Sequence, residues 1–151
     1  MTAPTLKNKV AIITGGGKNL GALIANQFVD AGVTGVLLHY NSDSSKAETE
    51  KTAAALKAKG ADVIIFQGNL AVVDNNTKMF DQAKSHFGKV DVAINTAGVV
   101  IKKAIADVTE ADYEKSFDAN SKAAYFFIQQ AGRVLEERGS IVTIVSSLLA
   151  A

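Results

Sequence analysis

The sequence predicts an α/β protein with an open, doubly wound parallel sheet of five strands and helices on both faces. Short β-branched runs alternate with longer helical patterns along the chain, an order typical of a parallel sheet covered by helices. Most of these runs are continuously apolar, as expected of strands buried on both faces. With 151 residues, the chain is predicted to form one domain that spans residues 1–151 and ends after its fifth strand.

The predicted strands are the runs in which valine and isoleucine predominate. They cover residues 10–13, 36–40, 63–67, 90–95 and 140–146. Because crossovers between parallel strands are right-handed, these strands are expected to form one sheet whose carboxyl ends share an edge. Ligands of doubly wound sheets bind at that edge, so we expect the functional residues to follow the strands.

The predicted helices lie between the strands and are bounded by capping signals. The first begins near Leu20, the second spans residues 44–59, and Asp74 is expected to cap the third. Thr109 and Asp112 resemble a capping box that opens a long helical stretch, which ends near Gly139. Glycine stop signals are predicted to end the first three helices, at Gly32, Gly60 and Gly88.

The composition excludes several classes of function. The chain has no cysteine, which excludes disulfides, thiolate metal sites and thiol catalysis. His39 and His86 are far apart and have no ligand-like neighbours, so no metal site is predicted. The 16 basic and 15 acidic residues are scattered, whereas a nucleic-acid surface needs clustered basic residues. The longest apolar stretch, residues 141–151, is too short for a membrane span, and a cytoplasmic protein is therefore predicted.

A glycine-rich segment, TGGGKNLG at residues 14–21, joins the first strand to the first helix, and we call it the glycine loop. Glycines allow a sharp turn and the close approach of a pyrophosphate, while the helix N-terminus supplies free amides and a positive dipole end. The spacing is not the dinucleotide-binding G-x-G-x-x-G, because Leu20 stands at the third glycine, and G-x-x-x-x-G-K-[ST] is absent. These residues alone leave both a phosphate-binding loop and a purely structural turn open.

The glycine loop resembles the T-G-x-x-x-G-x-G loop of the short-chain dehydrogenase/reductase family, with Asn19 in place of the middle glycine. Asn visits left-handed conformations more readily than most residues, so it fits that position. Residues 95–98 (NTAG) resemble the family's N-N-A-G, and Asp91 also matches, as a satisfied loop carboxylate. The resemblance covers the whole chain. The chain is similar to the N-terminal part of a fungal-type ketoacyl or naphthol reductase, without the family's Y-x-x-x-K segment.

The resemblance implies a Rossmann-type cofactor site and two catalytic residues. Asn120 matches the helical asparagine that organises a water relay, although a helical Asn that simply faces solvent is the alternative. Ser147 matches the serine that orients the substrate carbonyl. Asn69 and Leu70 stand where the family has an Asp and an apolar residue against adenine. The residues implied in cofactor binding are Gly15, Lys18, Asn19, Leu20, Gly21, Tyr40, Asn41, Ser42, Asn69, Leu70, Asn95, Ala97 and Gly98.

The end of the second strand favours NADP(H) over NAD(H). NAD-dependent enzymes place a carboxylate there, which binds the ribose hydroxyls and repels a 2′-phosphate, but this chain has Tyr40 at that position. Lys18 adds a positive charge near the expected 2′-phosphate, and Asn41 and Ser42 supply further hydrogen-bond donors. The alternative for Lys18 is an exposed lysine without such a role.

The resemblance implies an NADP(H)-dependent oxidoreductase that transfers a hydride between nicotinamide and a carbonyl or alcohol substrate, such as a 3-oxoacyl compound or a ketone. The family's tyrosine and lysine would lie beyond Ser147, whereas the chain ends at Ala151. We therefore expect these 151 residues alone to be inactive. The alternative is a truncated, non-catalytic module that binds a dinucleotide or pairs with another subunit. For a full-length form, the resemblance implies a homo-oligomer, either a dimer or a tetramer.

Overall fold

The computed structural model describes residues 6–145 and has the predicted α/β architecture. The strands are β1 (Val10–Thr14), β2 (Gly35–Tyr40), β3 (Asp62–Gln67), β4 (Val92–Asn95) and β5 (Ser140–Thr143). The helices are α1 (Asn19–Asp30), α2 (Lys46–Ala58), α3 (Val73–Phe87), α4 (Glu110–Phe117) and α5 (Ala123–Val134). Short 3-10 turns cover Asp43–Ser45 and Ile105–Asp107, and a π turn covers Asp118–Lys122. The prediction that the last strand continues to residue 146 is wrong for residues 144 and 145, which follow the end of β5, and residue 146 lies outside the described residues.

The strands form one parallel sheet in the order β3-β2-β1-β4-β5. The chain therefore moves outward from β1 to β3 on one side, and then returns past β1 to add β4 and β5 on the other. The change of direction falls between β1 and β4, and it is the switch point at which doubly wound sheets bind ligands. The loops after β1, β2, β3 and β4 all open at this edge of the sheet.

Helices cover both faces of the sheet, which explains why the strand sequences are continuously apolar. Because side chains alternate along a strand, Ala11 and Ile13 of β1 pack under α1 and α2, while Ile12 packs under α3 and α5. Phe80 of α3 and Phe127 of α5 are fully buried, and their ring centroids lie 5.4 Å apart. The core is thus two apolar layers, one on each face of the sheet.

The capping signals were predictive for the fourth helix and for the glycine stops, but Asp74 does not cap α3. Thr109 and Asp112 form the expected reciprocal capping box at the start of α4. Gly88, with φ of +79°, ends α3 in a left-handed conformation. The residue before α3 is Val72, which has the extended backbone of an N-cap, and Asp74 lies inside the first turn, where its carboxylate pairs with Lys78 at 2.6 Å.

The long helical stretch predicted from Thr109 to about Gly139 is divided and ends early. The π turn separates α4 from α5, and α5 ends at Val134 because Leu135 has an extended backbone (ψ 143°). The amide of Glu136 then donates to the carbonyl of Val90 at 2.9 Å, outside the helix. This long-range bond draws the chain across the amino edge of the sheet towards β5.

Asp91, just before β4, joins elements at the amino edge of the sheet, opposite the switch point. Its side chain is 5% exposed and accepts from Lys9 Nζ at 2.8 Å and from the Val10 amide at 2.9 Å, and Lys89 Nζ lies 3.1 Å away. Burial alone would raise the pKa of this carboxyl. The hydrogen bonds from Lys9, Val10 and Lys89 outweigh burial and hold the pKa below its ordinary value.

We expect Asp91→Asn to lower the free energy of unfolding at pH 7 by about 1–3 kcal/mol, because the buried bonds lose their charged acceptor. The pKa is lower in the folded chain, so the carboxylate stabilises the fold above about pH 4, and this contribution is lost as the pH falls through the folded pKa. Urea unfolding from pH 7 to pH 3 should therefore show a weaker pH dependence in the variant.

Asp30→Asn is the matched control, because Asp30 is half exposed and pairs with Lys59 at the surface. Surface pairs contribute little, so its unfolding curves should remain close to those of the wild type. Equal losses in the two variants would contradict the role assigned to Asp91.

Candidate functional site

A cavity of about 610 Å³ opens at the carboxyl ends of the strands, and we call it the strand-end cavity. It is bordered by the glycine loop, by the segments after β2, β3 and β4, and by the turn between α4 and α5. Its position coincides with the switch point of the sheet. A cavity of this size and place suits a small organic ligand such as a nucleotide cofactor.

Most of the residues implied in cofactor binding border this cavity. They are Gly15, Lys18, Asn19, Tyr40, Asn41, Asn69, Leu70, Ala97 and Gly98. Leu20, Gly21, Ser42 and Asn95 lie in the same segments but do not border it, and neither does Asn120. Ser147 lies outside the described residues. The cavity is also lined by residues that the sequence analysis did not select, among them His39, Thr49, Lys115 and Asp118.

The glycine loop needs its glycines for close packing as well as for its turn. Gly15 has φ of +61°, a conformation that favours glycine. A Cβ atom at Gly17 would overlap Thr49 of α2, and one at Gly21 would overlap the carbonyl of Gly15. Asn19 is left-handed with φ of +49°, a conformation that Asn adopts more readily than most residues. The glycines at positions 17 and 21 thus allow the loop to pack against α2 and against its own backbone.

The N-terminus of α1 adjoins this loop. Lys18 is its N-cap and accepts only the first intrahelical bond, from the amide of Ala22 at 3.2 Å. The first-turn amides of Asn19, Leu20 and Gly21 have no intrahelical carbonyl to bond, as in any helix. Together with the positive end of the helix dipole, they form a favourable site for a phosphate.

A hydrogen-bond network around Thr14 joins the ends of β1 and β4. The Thr14 hydroxyl donates to Asn95 Oδ1 at 2.6 Å and accepts from the amides of Thr96 and Ala97, each at 3.1 Å. The Thr96 hydroxyl returns a bond to the Thr14 carbonyl at 2.6 Å. Asn95 Oδ1 is therefore engaged within the protein, and it also accepts from the amide of Ala97 at 3.3 Å. The sequence indicated Thr14 only as the first residue of the glycine loop.

Asn69 and Leu70 also have internal roles. Asn69 Oδ1 accepts from the amide of Ala71 at 2.9 Å and so shapes the turn after β3. The oxygen has a second lone pair, and the amide nitrogen remains a donor. Leu70 is 3% exposed and packs in the core layer under α3 and α5.

Asn120 lies within the π turn and is bonded to the segment that follows β4. Its Oδ1 accepts from the amide of Val99 at 2.8 Å, and its Nδ2 donates to the carbonyl of Val99 at 2.9 Å. The residue is exposed, but its side chain is not free, because it exchanges two hydrogen bonds with the main chain of one residue, Val99. Single π turns inside helices are frequent at functional sites. The water relay remains a prediction.

The residues that the sequence analysis linked to cofactor preference differ in their exposure and in their hydrogen-bond partners. Tyr40 is 6% exposed, and its hydroxyl donates to Gln67 Oε1 at 3.2 Å. Ser42 is exposed, with its hydroxyl 2.9 Å from that of Ser44. Lys18 Nζ lies 3.5 Å from the carboxylate of Glu48, and both side chains are about half exposed. The positive charge at Lys18 is thus partly balanced within the protein.

His39, the penultimate residue of β2, is the cavity residue with the most distinctive environment. It is 2% exposed, its Nδ1 lies 3.3 Å from the amide nitrogen of Gly15, and its Nε2 lies 2.7 Å from the carbonyl of Gly68. Burial lowers the pKa of His39 to about 4, although the bond to Gly68 acts in the opposite direction. The imidazole is therefore neutral near pH 7. The sequence analysis did not select His39, although a histidine within an otherwise apolar predicted strand could have indicated it.

Residues 6–145 contain neither a cluster of metal ligands nor a helix that could cross a membrane. Within that range no three histidine, aspartate or glutamate side chains gather as metal ligands. No helix of the same range has the length and apolar character that crossing a bilayer requires.

The chain is similar to short chain dehydrogenases in both sequence and structure. The model of the short chain dehydrogenase family matches residues 9–149. A short chain dehydrogenase/reductase of Aspergillus novofumigatus is 36% identical over 146 residues, which are 97% of this chain and 54% of that protein. Versicolorin reductase of Emericella nidulans is 34% identical and is matched over 53% of its length. The chain thus spans about half the length of these relatives.

Solved structures give the same result. A dehydrogenase from Burkholderia cenocepacia with bound NADP superposes with a TM-score of 0.94 at 50% identity, covering 100% of this chain and 57% of that one. A blue fluorescent protein from a metagenomic library, in complex with NADPH, superposes with a TM-score of 0.90 at 31% identity. That match covers 97% of this chain and 59% of the other.

We expect Thr14→Val to lower the free energy of unfolding by roughly 1–3 kcal/mol, because it leaves buried polar groups at the end of β4 without their partner. Thr14→Ser keeps the hydroxyl and serves as the control, with a smaller loss. Denaturant unfolding of both variants measures the difference. A loss in Thr14→Ser as large as that in Thr14→Val would contradict the role assigned to the hydroxyl network, because the serine variant keeps the hydroxyl.

Proposed function

Because the chain belongs to the short-chain dehydrogenase family, we propose that it forms the cofactor-binding part of an NADP(H)-dependent oxidoreductase. The observation that carries the proposal is the strand-end cavity, which joins the glycine loop to the N-terminus of α1 at the switch point of the sheet. The expected substrate is a small molecule with a carbonyl or alcohol group, such as a 3-oxoacyl compound or a ketone. A cytoplasmic location remains part of the proposal.

The residues present fit a dinucleotide. The glycine loop turns at Gly15, which is left-handed, and Gly17 and Gly21 let it pack against Thr49 and against its own backbone. The first-turn amides of α1, including those of Leu20 and Gly21, would hold the pyrophosphate. Asn69 and Leu70 would border the adenine, and Ala97 and Gly98 the neighbouring ribose. When bound, the nicotinamide would supply or accept the hydride.

NADP(H) is the proposed cofactor, in preference to NAD(H). β2 ends at Tyr40 without the carboxylate that would repel a 2′-phosphate, and Lys18 borders the cavity. Asn41 and Ser42 are exposed and available as further donors. The neighbouring structures that carry NADP or NADPH support the same choice. Glu48 opposes it, since its carboxylate lies beside Lys18.

The catalytic residues of the chain are proposed to be Asn120 and Ser147. Ser147 would orient the substrate carbonyl by hydrogen bonding, and Asn120 would help to hold a water on the proton path. The tyrosine acid and its lysine are implied only by the family resemblance. Tyr40, Tyr113 and Tyr125 are followed four residues later by Ser44, Phe117 and Gln129. None of these three residues is a lysine, so the three tyrosines do not match the family's Y-x-x-x-K.

A second candidate is a non-catalytic module that pairs with another subunit. Large apolar side chains on α4 and α5 are exposed, which favours an interface there. They are Tyr113 (55% exposed), Phe117 (50%), Tyr125 (64%) and Ile128 (42%). Such pairing is compatible with a homo-oligomeric reductase, so both candidates predict association. Cofactor titration separates them, because a module that only pairs with another subunit would not bind NADPH.

NADPH is expected to bind more tightly than NADH, and Lys18→Gln should weaken NADPH binding by about tenfold while leaving NADH nearly unchanged. The reason is the loss of one charge-assisted hydrogen bond to the 2′-phosphate. Fluorescence titration of both cofactors measures the effect. Lys78→Gln, on α3 beside Asp74, is the control. Tighter binding of NADH than of NADPH would refute the proposed preference.

Glu48→Gln is expected to strengthen NADPH binding by about twofold to fivefold, because Lys18 no longer has an internal partner, and exposed pairs contribute only about 0.2–1 kcal/mol. NADH affinity should stay constant. Glu50→Gln is the control, as Glu50 is exposed on the same helix and lies outside the strand-end cavity. If Glu48→Gln and Glu50→Gln change NADPH affinity by the same factor, Glu48 does not compete with the phosphate for Lys18.

A further inference from the structure

His39 connects two loops that are distant in sequence. On one side, the amide of Gly15 donates to its Nδ1 at 3.3 Å, and the amide of Gly16 donates to its main-chain carbonyl at 3.1 Å. On the other side, its Nε2 lies 2.7 Å from the carbonyl of Gly68. Two consecutive amides of the glycine loop and the first residue after β3 therefore meet at one residue of β2.

The partners determine the tautomer of the ring. A main-chain amide can only donate, so Nδ1 must carry the lone pair. A main-chain carbonyl can only accept, so Nε2 must carry the hydrogen. A ring protonated on both nitrogens would direct an N–H at the N–H of Gly15. The observed geometry thus requires the neutral imidazole with hydrogen on Nε2, and the low pKa of His39 agrees with it.

The ring has no nitrogen left for chemistry with a ligand. Both nitrogens are bonded to main-chain groups. The residue is 2% exposed, and the centroids of its ring and that of Phe66 lie 6.4 Å apart. His39 is therefore not suited to transfer a proton to a substrate. Its location in the wall of the strand-end cavity instead suits a spacer between the two loops.

The two loops are the walls of one part of that cavity. Gly15 and Lys18 border it from the glycine loop, and Asn69 and Leu70 border it from the loop after β3. The amides of Gly15 and Gly16 are engaged by His39, so a phosphate must be held by the amides that follow them at the start of α1. The position of both walls, and of those free amides, depends on the length and bonding of the imidazole.

We infer that His39 is a positioning residue for the adenosine half of the cofactor, fixing the distance between the glycine loop and the loop after β3 through a single neutral tautomer. The inference rests on the proposed dinucleotide binding. It assigns to His39 a role as simultaneous acceptor and donor, which leucine cannot perform and glutamine can perform in part. His39 is distinguished in this way from a residue that only fills the core.

Calorimetric titration of the whole chain at pH 7 with NADPH and with 2′,5′-ADP tests the inference. His39→Leu is expected to weaken the binding of both ligands by the same factor, about tenfold or more, because it removes both side-chain hydrogen bonds of His39. His39→Gln, which supplies an acceptor and a donor, should recover most of the loss. The matched controls are His86→Leu and His86→Gln, since His86 is exposed on α3 and pairs with Asp62 at 2.8 Å.

The result that overturns the inference is unchanged affinity for 2′,5′-ADP in His39→Leu, or no recovery in a folded His39→Gln. If His39→Leu does not fold, the test passes to His39→Gln and to the imidazole ¹⁵N spectrum of the wild type at pH 7. That spectrum should show hydrogen on Nε2 alone, and hydrogen on Nδ1 would overturn the role. Failure of the proposed function is recognised separately, because the wild type would then bind neither NADPH nor 2′,5′-ADP.

Discussion

The parallel alignment of the strands is the constraint on which the rest of the structure depends. Since all strands of the sheet run in one direction, every loop that follows a strand opens at the same edge. Helices must then return the chain on both faces, which requires strands that are apolar throughout. The order of the strands places β1 at the centre, and its carboxyl end is where the glycine loop begins. The cavity is a consequence of this alignment.

The two edges of the sheet are held by different chemistry. At the amino edge, the buried carboxylate of Asp91 gathers lysines and a main-chain amide. At the carboxyl edge, neutral groups do the same work: the hydroxyl of Thr14 joins β1 to the segment after β4, and the imidazole of His39 joins the glycine loop to the segment after β3. At this edge the helix dipole and Lys18 favour an anionic ligand, whereas the Glu48 carboxylate beside Lys18 opposes it.

Local patterns in the sequence predicted the strands, most helix ends and the left-handed Asn19, because each depends on neighbouring residues. Long-range bonds decided the features that the sequence analysis missed. The helix after Thr109 ends at Val134, where the next residues turn to the main chain of Val90. The partners of His39 lie 24 and 29 residues away and are main-chain groups, which no residue type reveals. The Glu48 partner of Lys18 is likewise set by how α2 docks.

The contact of the glycine loop with α2 also bears on how this chain can change over evolutionary time. A side chain at position 17 would overlap Thr49, and the hydroxyl of Thr52 is bonded to the carbonyl of Gly17 at 2.8 Å. A residue larger than glycine at position 17 would require a smaller one at position 49, or an outward shift of α2. Related sequences should therefore vary at these two positions together. The residues allowed at position 49 of α2 are thus limited by the glycine loop, which is distant from it in sequence.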